Sequence, residues 1–365
     1  MAGIAALSGL LGRQATVLIV VAVTASLATL GLRIAGATET LVFVVSAVAL
    51  AGLAGVVGEG TDQLGNRLGP GATGVLQSAL GNLPELFIAI FSLRAGLVLV
   101  VQTALVGSIL ANSLLVLGLA FLFGGLRHGV QHFGANRTRT IATLLVLAVA
   151  AMTIPTLATA PGAPDVGHEQ ELSVICALVL LVVFAASIPF SIAGGPGASA
   201  GPAPVGQAWP LRLAIGLLFT AALGAAFVSD WFVEALRPAM AQLGMSEAFA
   251  GLVVVAIAGN AVENVVGIQA ALRNEADLAV SLILNSSLQV ALALTPALVL
   301  LSLVIGGVAL TLVVPPLLVA ALALSAILGA LVVNDGESTW LEGFALVRLY
   351  VIIAASVWWG PSIGG

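Results

Sequence analysis

The sequence specifies an all-α polytopic membrane protein of about eleven transmembrane helices, one extra helix plus two inverted five-helix repeats. Three observations carry that expectation. Of 365 residues, 60% are hydrophobic and 7% charged, and mean hydropathy is +1.19. A soluble domain carries roughly 25% charged residues, so apolar surface on this scale belongs in lipid. The apolar residues fall into runs near the ~20 residues that cross hydrocarbon. Finally, one short polar motif occurs twice at a constant offset within those runs.

In order, the expected spans are 16–36, 40–65, 72–93, 96–124, 139–158, 171–192, 210–242, 247–272, 277–304, 307–333 and 341–359. Gly69-Pro70-Gly71, Gly124-Gly125, Pro161-Gly162, Leu243-Gly244 and Asp335-Gly336 stand between them as breakers. Residues 194–207 are rich in Gly, Ala and Pro and read as a flexible linker on the cytoplasmic side. The resulting organisation is an extra N-terminal helix in 1–36, a first repeat in 37–193, the linker, and a second repeat in 208–365. Arg13 and Ala35-Gly36-Ala37 loosely resemble the borders of a signal peptide. The apolar run between them exceeds an h-region of about 7–15 residues, so it reads as a first span.

All eleven basic residues are arginines. With the N-terminus on one side and the sides alternating, Arg13, Arg67, Arg127, Arg137, Arg139, Arg212 and Arg273 share that side, against Arg33, Arg94 and Arg237. The positive-inside rule then makes the N-terminus cytoplasmic and puts the C-terminus opposite, in an integral protein of a bacterial-type inner membrane. A net charge of -5 with only short basic runs gives no support to nucleic-acid binding. No Gly-rich phosphate loop, nucleophile motif or Cys/His cluster is present, and Cys176 alone forms no internal disulfide. No enzyme activity and no cofactor are expected. The lipid bilayer is the one certain partner, and the sequence leaves a homo-oligomer open.

The repeated motif carries the functional reading. Gly81-Asn82-Leu83-Pro84-Glu85 is followed by Gly107-Ser108 in the next span, and Gly259-Asn260-Ala261-Val262-Glu263 by Asn285-Ser286-Ser287. Both acids and both serines differ by 178 (263 − 85 and 286 − 108). Five spans separate the copies, an odd number, so they run antiparallel. Inverted repeats with a site at the bilayer midplane are a recurrent transporter plan. Glu85 and Glu263 each sit near the middle of an apolar span, where a charge costs roughly 2.5–3.5 kcal/mol on insertion scales. Gly-Asn before each, and Pro84 in the first copy, weaken the helix and free carbonyls beside the carboxylate. Ca2+ takes about 6–8 oxygen ligands, and Glu85, Glu263, Asn82, Asn260, Ser108, Asn112, Ser286, Ser287 and Gln289 offer that chemistry. Protonated structural acids, and small polar residues gluing helices together, are the alternatives.

Asp62, near the end of the second span, and Asp230, in the outer half of the seventh, put one acid toward each membrane face. They can draw cations and protons to the access paths, or simply be solvated. His128 and His132 have metal-like spacing in an Arg-bearing loop, but no third ligand is evident, which favours a loop role. Glu39, Glu169 and Glu171 stand at outer helix ends and face water.

These residues resemble the alpha repeats of the calcium/cation antiporter superfamily, specifically its cation (Ca2+)/proton exchanger, or CAX-type, branch. The likeness runs from Gly69-Pro70 through Gly81-Asn82 to Phe87, and includes Val101-Gln102 and Gly107-Ser108-Ile109-Leu110-Ala111-Asn112. It continues in Gly124-Gly125-Leu126-Arg127-His128 with Gln131 and Phe133, in Val228-Ser229-Asp230, in Leu243-Gly244-Met245-Ser246, and in Gly259 to Glu263. Asn285 to Leu292 and the long stretch Asp335 to Gly343 complete it, the last being similar to a cytoplasmic signature of the proton-coupled branch. The resemblance implies eleven helices, one extra plus two inverted repeats of five, and alternate binding of Ca2+ and protons by Glu85 and Glu263. Departures lie beside the site. Asn264 stands where the family usually has His, Asn285 where it has Gly, Gln77-Ser78-Ala79 where it has Asn-Ala-Thr, and Asp62 and Asp230 where Glu is commoner. The linker also lacks an acidic helix often found in relatives.

The function expected is therefore secondary active exchange of Ca2+ for H+ by alternating access. Ca2+ and protons are its substrates, with Glu85 and Glu263 as the metal ligands. A Na+(K+)/H+ or Na+/Ca2+ exchanger on the same scaffold is the alternative, and a membrane enzyme or channel a remote one.

Overall fold

The computed structural model describes residues 8–68, 76, 80–192 and 209–359. The expected breaker Gly69-Pro70-Gly71, the triplet Gln77-Ser78-Ala79, most of the first half of the 72–93 span and the linker 194–207 lie outside them.

Among the described residues the regular structure is helical, apart from one two-residue strand pair. The helices are α1 (Arg13–Ile34), α2 (Glu39–Leu68), α3 (Leu83–Arg94), α4 (Val98–His128), α5 (Ala135–Ala158), α6 (Glu169–Ile192), α7 (Leu211–Leu243), α8 (Glu247–Gly259), α9 (Ala261–Leu272), α10 (Ala276–Ile305), α11 (Pro316–Val332) and α12 (Trp340–Ser356). Among the described residues seven are long and apolar enough to cross a membrane, or eight if α8 and the bent-off α9 count as one span. Strand β1 (Gln131–His132) pairs antiparallel with β2 (Glu337–Ser338).

Two compact units form, each drawing on both halves of the sequence. One comprises Met1–Phe91, Ser199–Gly244 and Ala258–Val262, the other Ser92–Ala198, Met245–Ile257 and Glu263–Gly365. In the first, α2 packs along both α1 and α7. Gly52 permits the α1 contact, since a Cβ there would lie 2.8 Å from the Ala22 backbone nitrogen. Phe43 of α2 stacks on Phe232 of α7 at 4.9 Å. The fully buried Trp209, just before α7, donates through its main chain to Gln63 Oε1 (3.1 Å) and through its indole to the Leu11 carbonyl (3.2 Å).

In the second unit α4 packs on α12, α5 on α10 and α11, and α6 on α10. Two sequence expectations are corrected here. Gly124-Gly125 does not break α4, which runs on to His128. These glycines are packing positions instead: a Cβ on Gly125 would lie 2.7 Å from the Trp340 nitrogen. The helix expected from residue 307 begins only at Pro316. Gly306 (φ 83°) and Gly307 (φ 104°) turn the chain out of α10, and the following residues are non-helical up to Pro315, which caps α11. Side chains replace the missing helical bonds. Gln102 Nε2 donates to the Thr311 and Val313 carbonyls (2.9 Å each), and Thr156 Oγ1 donates to Leu312 O (3.0 Å). Leu310 N and Leu312 N donate to Ser302 and Ser173 hydroxyls, 2.9 Å each. Non-helical backbone survives in an apolar setting only when satisfied in this way.

Candidate functional site

Both acids of the repeated motif stand in the first turn of a helix that starts after a break. The chain turns at Gly81-Asn82 and α3 begins at Leu83. Pro84 therefore falls in a first turn, where its missing N–H costs nothing, and the break belongs to the Gly-Asn pair. In the second copy α8 ends at Gly259, Asn260 forms the turn, and the helix axis bends by 65° across it. A carboxylate in a first turn faces unsatisfied N–H groups and the positive end of the helix dipole. The C-terminal carbonyls of a preceding half-helix add oxygens suited to a cation.

The first acid is held closely. Glu85 is buried, and Asn260 Nδ2 from the second copy of the motif donates to its Oε1. Gly259 beside it leaves no space for a Cβ, because the Glu85 side chain occupies that position. So the second Gly-Asn pair serves the acid of the first copy, and this contact lies within one unit. Asn82 is buried too, and its Nδ2 has no hydrogen-bond partner among the described residues.

Glu263 opens α9 in the other unit and is half-buried. Its neighbour Asn264 is buried, with an amide oxygen that no described residue approaches as donor. In that same unit the polar residues of α4 and α10 come together. Asn112 Nδ2 donates to Ser286 Oγ at 3.0 Å, and the hydroxyls of Ser113 and Ser287 are 3.3 Å apart. Ser108 is buried on α4, and Gln289 is half-buried on α10. Each cluster adjoins a π-helical turn, Ala111–Val116 in α4 and Val290–Leu294 in α10. Such insertions leave backbone groups off the regular ladder and are frequent at functional sites. A third π turn, Ala250–Val255, lies in α8 ahead of Gly259.

Asp62 and Asp230 occupy α2 and α7 and are half-buried, Asp62 six residues before the end of its helix. Each has an acidic companion that sequence reasoning missed. Glu59 lies one turn before Asp62 and accepts from Gln63 Nε2 at 3.4 Å. Glu234 lies one turn after Asp230 and pairs with Arg33 at 2.6 Å, whose guanidinium stacks over Trp231. The spacing itself, acids at i,i+3 and i,i+4, was the available signal. Ser113 gave no such signal. The structure places the histidines outside a loop: His132, in β1, faces Glu337 at 3.5 Å, and His128, at the end of α4, meets Leu272 O through Nε2 at 2.9 Å. No group of three metal-ligating side chains occurs among the described residues.

Helices broken at paired Gly-Asn-x-x-Glu motifs, with buried hydroxyls and amides on neighbouring π-distorted helices, define an ion-transporting membrane protein. More particularly, the sodium/calcium exchanger protein family matches residues 38–193 and 213–359, and the chain belongs to it. It is 33% identical over 346 residues to a Ca(2+)/H(+) antiporter of Synechocystis sp., covering 89% of this chain and 92% of that protein. It is 32% identical over 327 residues to the Ca(2+)/H(+) antiporter ChaA of Bacillus subtilis, covering 87% and 91%. The solved structure of native YfkE superposes with a TM-score of 0.81 at 29% identity, over 93% of this chain and 99% of that one.

Proposed function

We propose that this protein is a secondary transporter exchanging Ca2+ for H+ by alternating access at a mid-membrane site containing Glu85 and Glu263. The observation that carries this reading is the pair of helix breaks, each with one carboxylate in the first turn beyond it. The Ca(2+)/H(+) antiporters of Synechocystis and Bacillus subtilis, aligned along nearly the whole chain, support the choice of ions.

Two ionised glutamates supply the charge that neutralises one Ca2+, and protonation of both neutralises the pocket without it. Either loaded form can cross an occluded intermediate, whereas the empty doubly charged form is costly in an apolar setting. Exchange is thereby favoured over leak. Asn82, Asn260, Ser108, Asn112, Ser286, Ser287 and Gln289 add neutral oxygens, and Asp62 and Asp230 attract cations at the two mouths. The scaffold reads as eleven spans, one extra helix with two inverted repeats (37–193 and 208–365), cytoplasmic N-terminus and external C-terminus. In support, π turns follow Ser108 and Ser286 at nearly equal distances along the chain, at Ala111 and Val290.

The test is uptake of radiolabelled Ca2+ into proteoliposomes driven by an imposed pH gradient, with Na+, K+ and Mn2+ added singly as competitors. Ca2+-dependent proton flux that needs no Na+ is the expected result. Flux driven by a Na+ gradient at equal pH on both sides would instead make the protein a sodium-coupled exchanger.

A further inference from the structure

The regular ladder of α9 ends at the turn Arg273-Asn274, where Asn274 N donates to Ala271 O at 3.0 Å and Glu275 N to Ala270 O at 2.9 Å. Side chains from the end of α4 and the α4–α5 connection add to these bonds. Gln131 Nε2 donates to Ala271 O at 3.0 Å and to Asn274 Oδ1 at 2.9 Å, and His128 Nε2 meets Leu272 O. Three residues on, Gly134 N donates to Asp277 Oδ1 at 2.8 Å, in the first turn of α10. Gln131 is 1% exposed, and its main chain pairs with Ser338 in the β1–β2 contact. Gly124 lies so close to its amide that no Cβ fits there. One side chain thus stands where the α4–α5, α9–α10 and α11–α12 connections meet.

Its position relative to Glu263 gives this clamp a consequence. Helix α9 is cut from α8 by the turn at Asn260, so the regular ladder does not fix its N-terminal end. Glu263 lies eight residues before Ala271, about 12 Å along a rigid helix. On one side α9 meets α10 at Gly267, where a Cβ would come within 2.9 Å of Ile283. Whatever fixes the C-terminal carbonyls of α9 therefore fixes the depth of Glu263.

We propose that Gln131 is a positioning residue for ion exchange, holding the α9–α10 turn through Ala271 O and Asn274 Oδ1 and so setting the depth of Glu263. The proposal rests on Glu263 being an ion-binding carboxylate. Two variants of the full chain test it in proteoliposomes. Gln131→Leu removes both side-chain bonds, leaving Ala271 O only its main-chain bond from Asn274 N. Asn274→Gly keeps the left-handed backbone (φ 63°) that Asn274 adopts and deletes one acceptor. We expect the KM for Ca2+ to rise about tenfold in Gln131→Leu and about threefold in Asn274→Gly, the worth of buried hydrogen bonds lost from a packed turn. The pH of half-maximal flux shifts in the same direction in both, while the maximal rate per folded transporter changes little. A clamp that only stabilises the fold lowers melting temperature and yield and leaves KM and pH midpoint at wild-type values, and that result overturns the proposal. If Gln131→Leu does not fold, an unchanged KM in Asn274→Gly overturns it alone. Glu263→Gln, measured alongside, separates the two levels: normal exchange by that variant refutes the underlying site. Its inactivity combined with unaltered KM in the other two refutes only the clamp.

Discussion

The two copies of Gly-Asn-x-x-Glu have the same sequence logic and different surroundings. Both break a helix and start another with the acid in its first turn. Glu85, however, is buried against Gly259 and accepts a hydrogen bond from Asn260, whereas Glu263 is half-buried beside Asn264. Part of the second copy therefore serves the acid of the first. The two acids also differ in exposure, one buried and one half-buried, so they should respond unequally to changes around them.

Neutralising either acid tests the part they share. Glu85→Gln and Glu263→Gln should each reduce Ca2+-dependent proton flux to the level of empty liposomes, and normal flux in both would remove the site. The asymmetry is tested next. Asn260→Leu removes a hydrogen bond to a charged group, worth about 1.5–3 kcal/mol, and should weaken Ca2+ affinity by roughly tenfold to a hundredfold. Asn264→Leu should do less, and equal effects would mean that the two acids are held alike. Gly259→Ala comes third, pushing into Glu85, and should raise the KM by roughly tenfold, a loss of about 1–2 kcal/mol typical of overpacking. Its control Gly58→Ala meets open space on α2 and should leave transport unchanged. The smallest effect is expected for Asp62→Asn and Asp230→Asn, a loss of about twofold to fivefold in initial rate that fades at high salt, as long-range attraction does.

How much of this could be read from sequence differs by region for physical reasons. The acids were legible because an ionisable residue in an apolar run is expensive and hence conspicuous. Spans such as 139–158 and 171–192 agree with α5 and α6 within a few residues, since hydrophobic length dominates there. Gly124-Gly125 misled because composition does not tell a glycine that ends a helix from one that lets Trp340 approach it. The π turns left no trace, since Val290–Leu294 is as apolar as any regular helix. Residues 306–315 misled for the opposite reason. Their apolar composition fits a helix, and the partners that satisfy their non-helical backbone, Gln102, Thr156 and Ser173, lie far back in the chain.

That non-helical segment also bears on how the protein is made. Helix α11 has 17 residues, about 25 Å, which falls short of a hydrocarbon layer of about 30 Å, so in the proposed eleven-span scaffold the residues preceding it complete the crossing. Alone in lipid, their uncovered peptide groups would cost several kcal/mol each. The groups that cover them sit on α4, α5, α6 and α10, all synthesised earlier. The last crossings can settle in the bilayer only against helices already in place, so membrane insertion of this chain is completed by its fold.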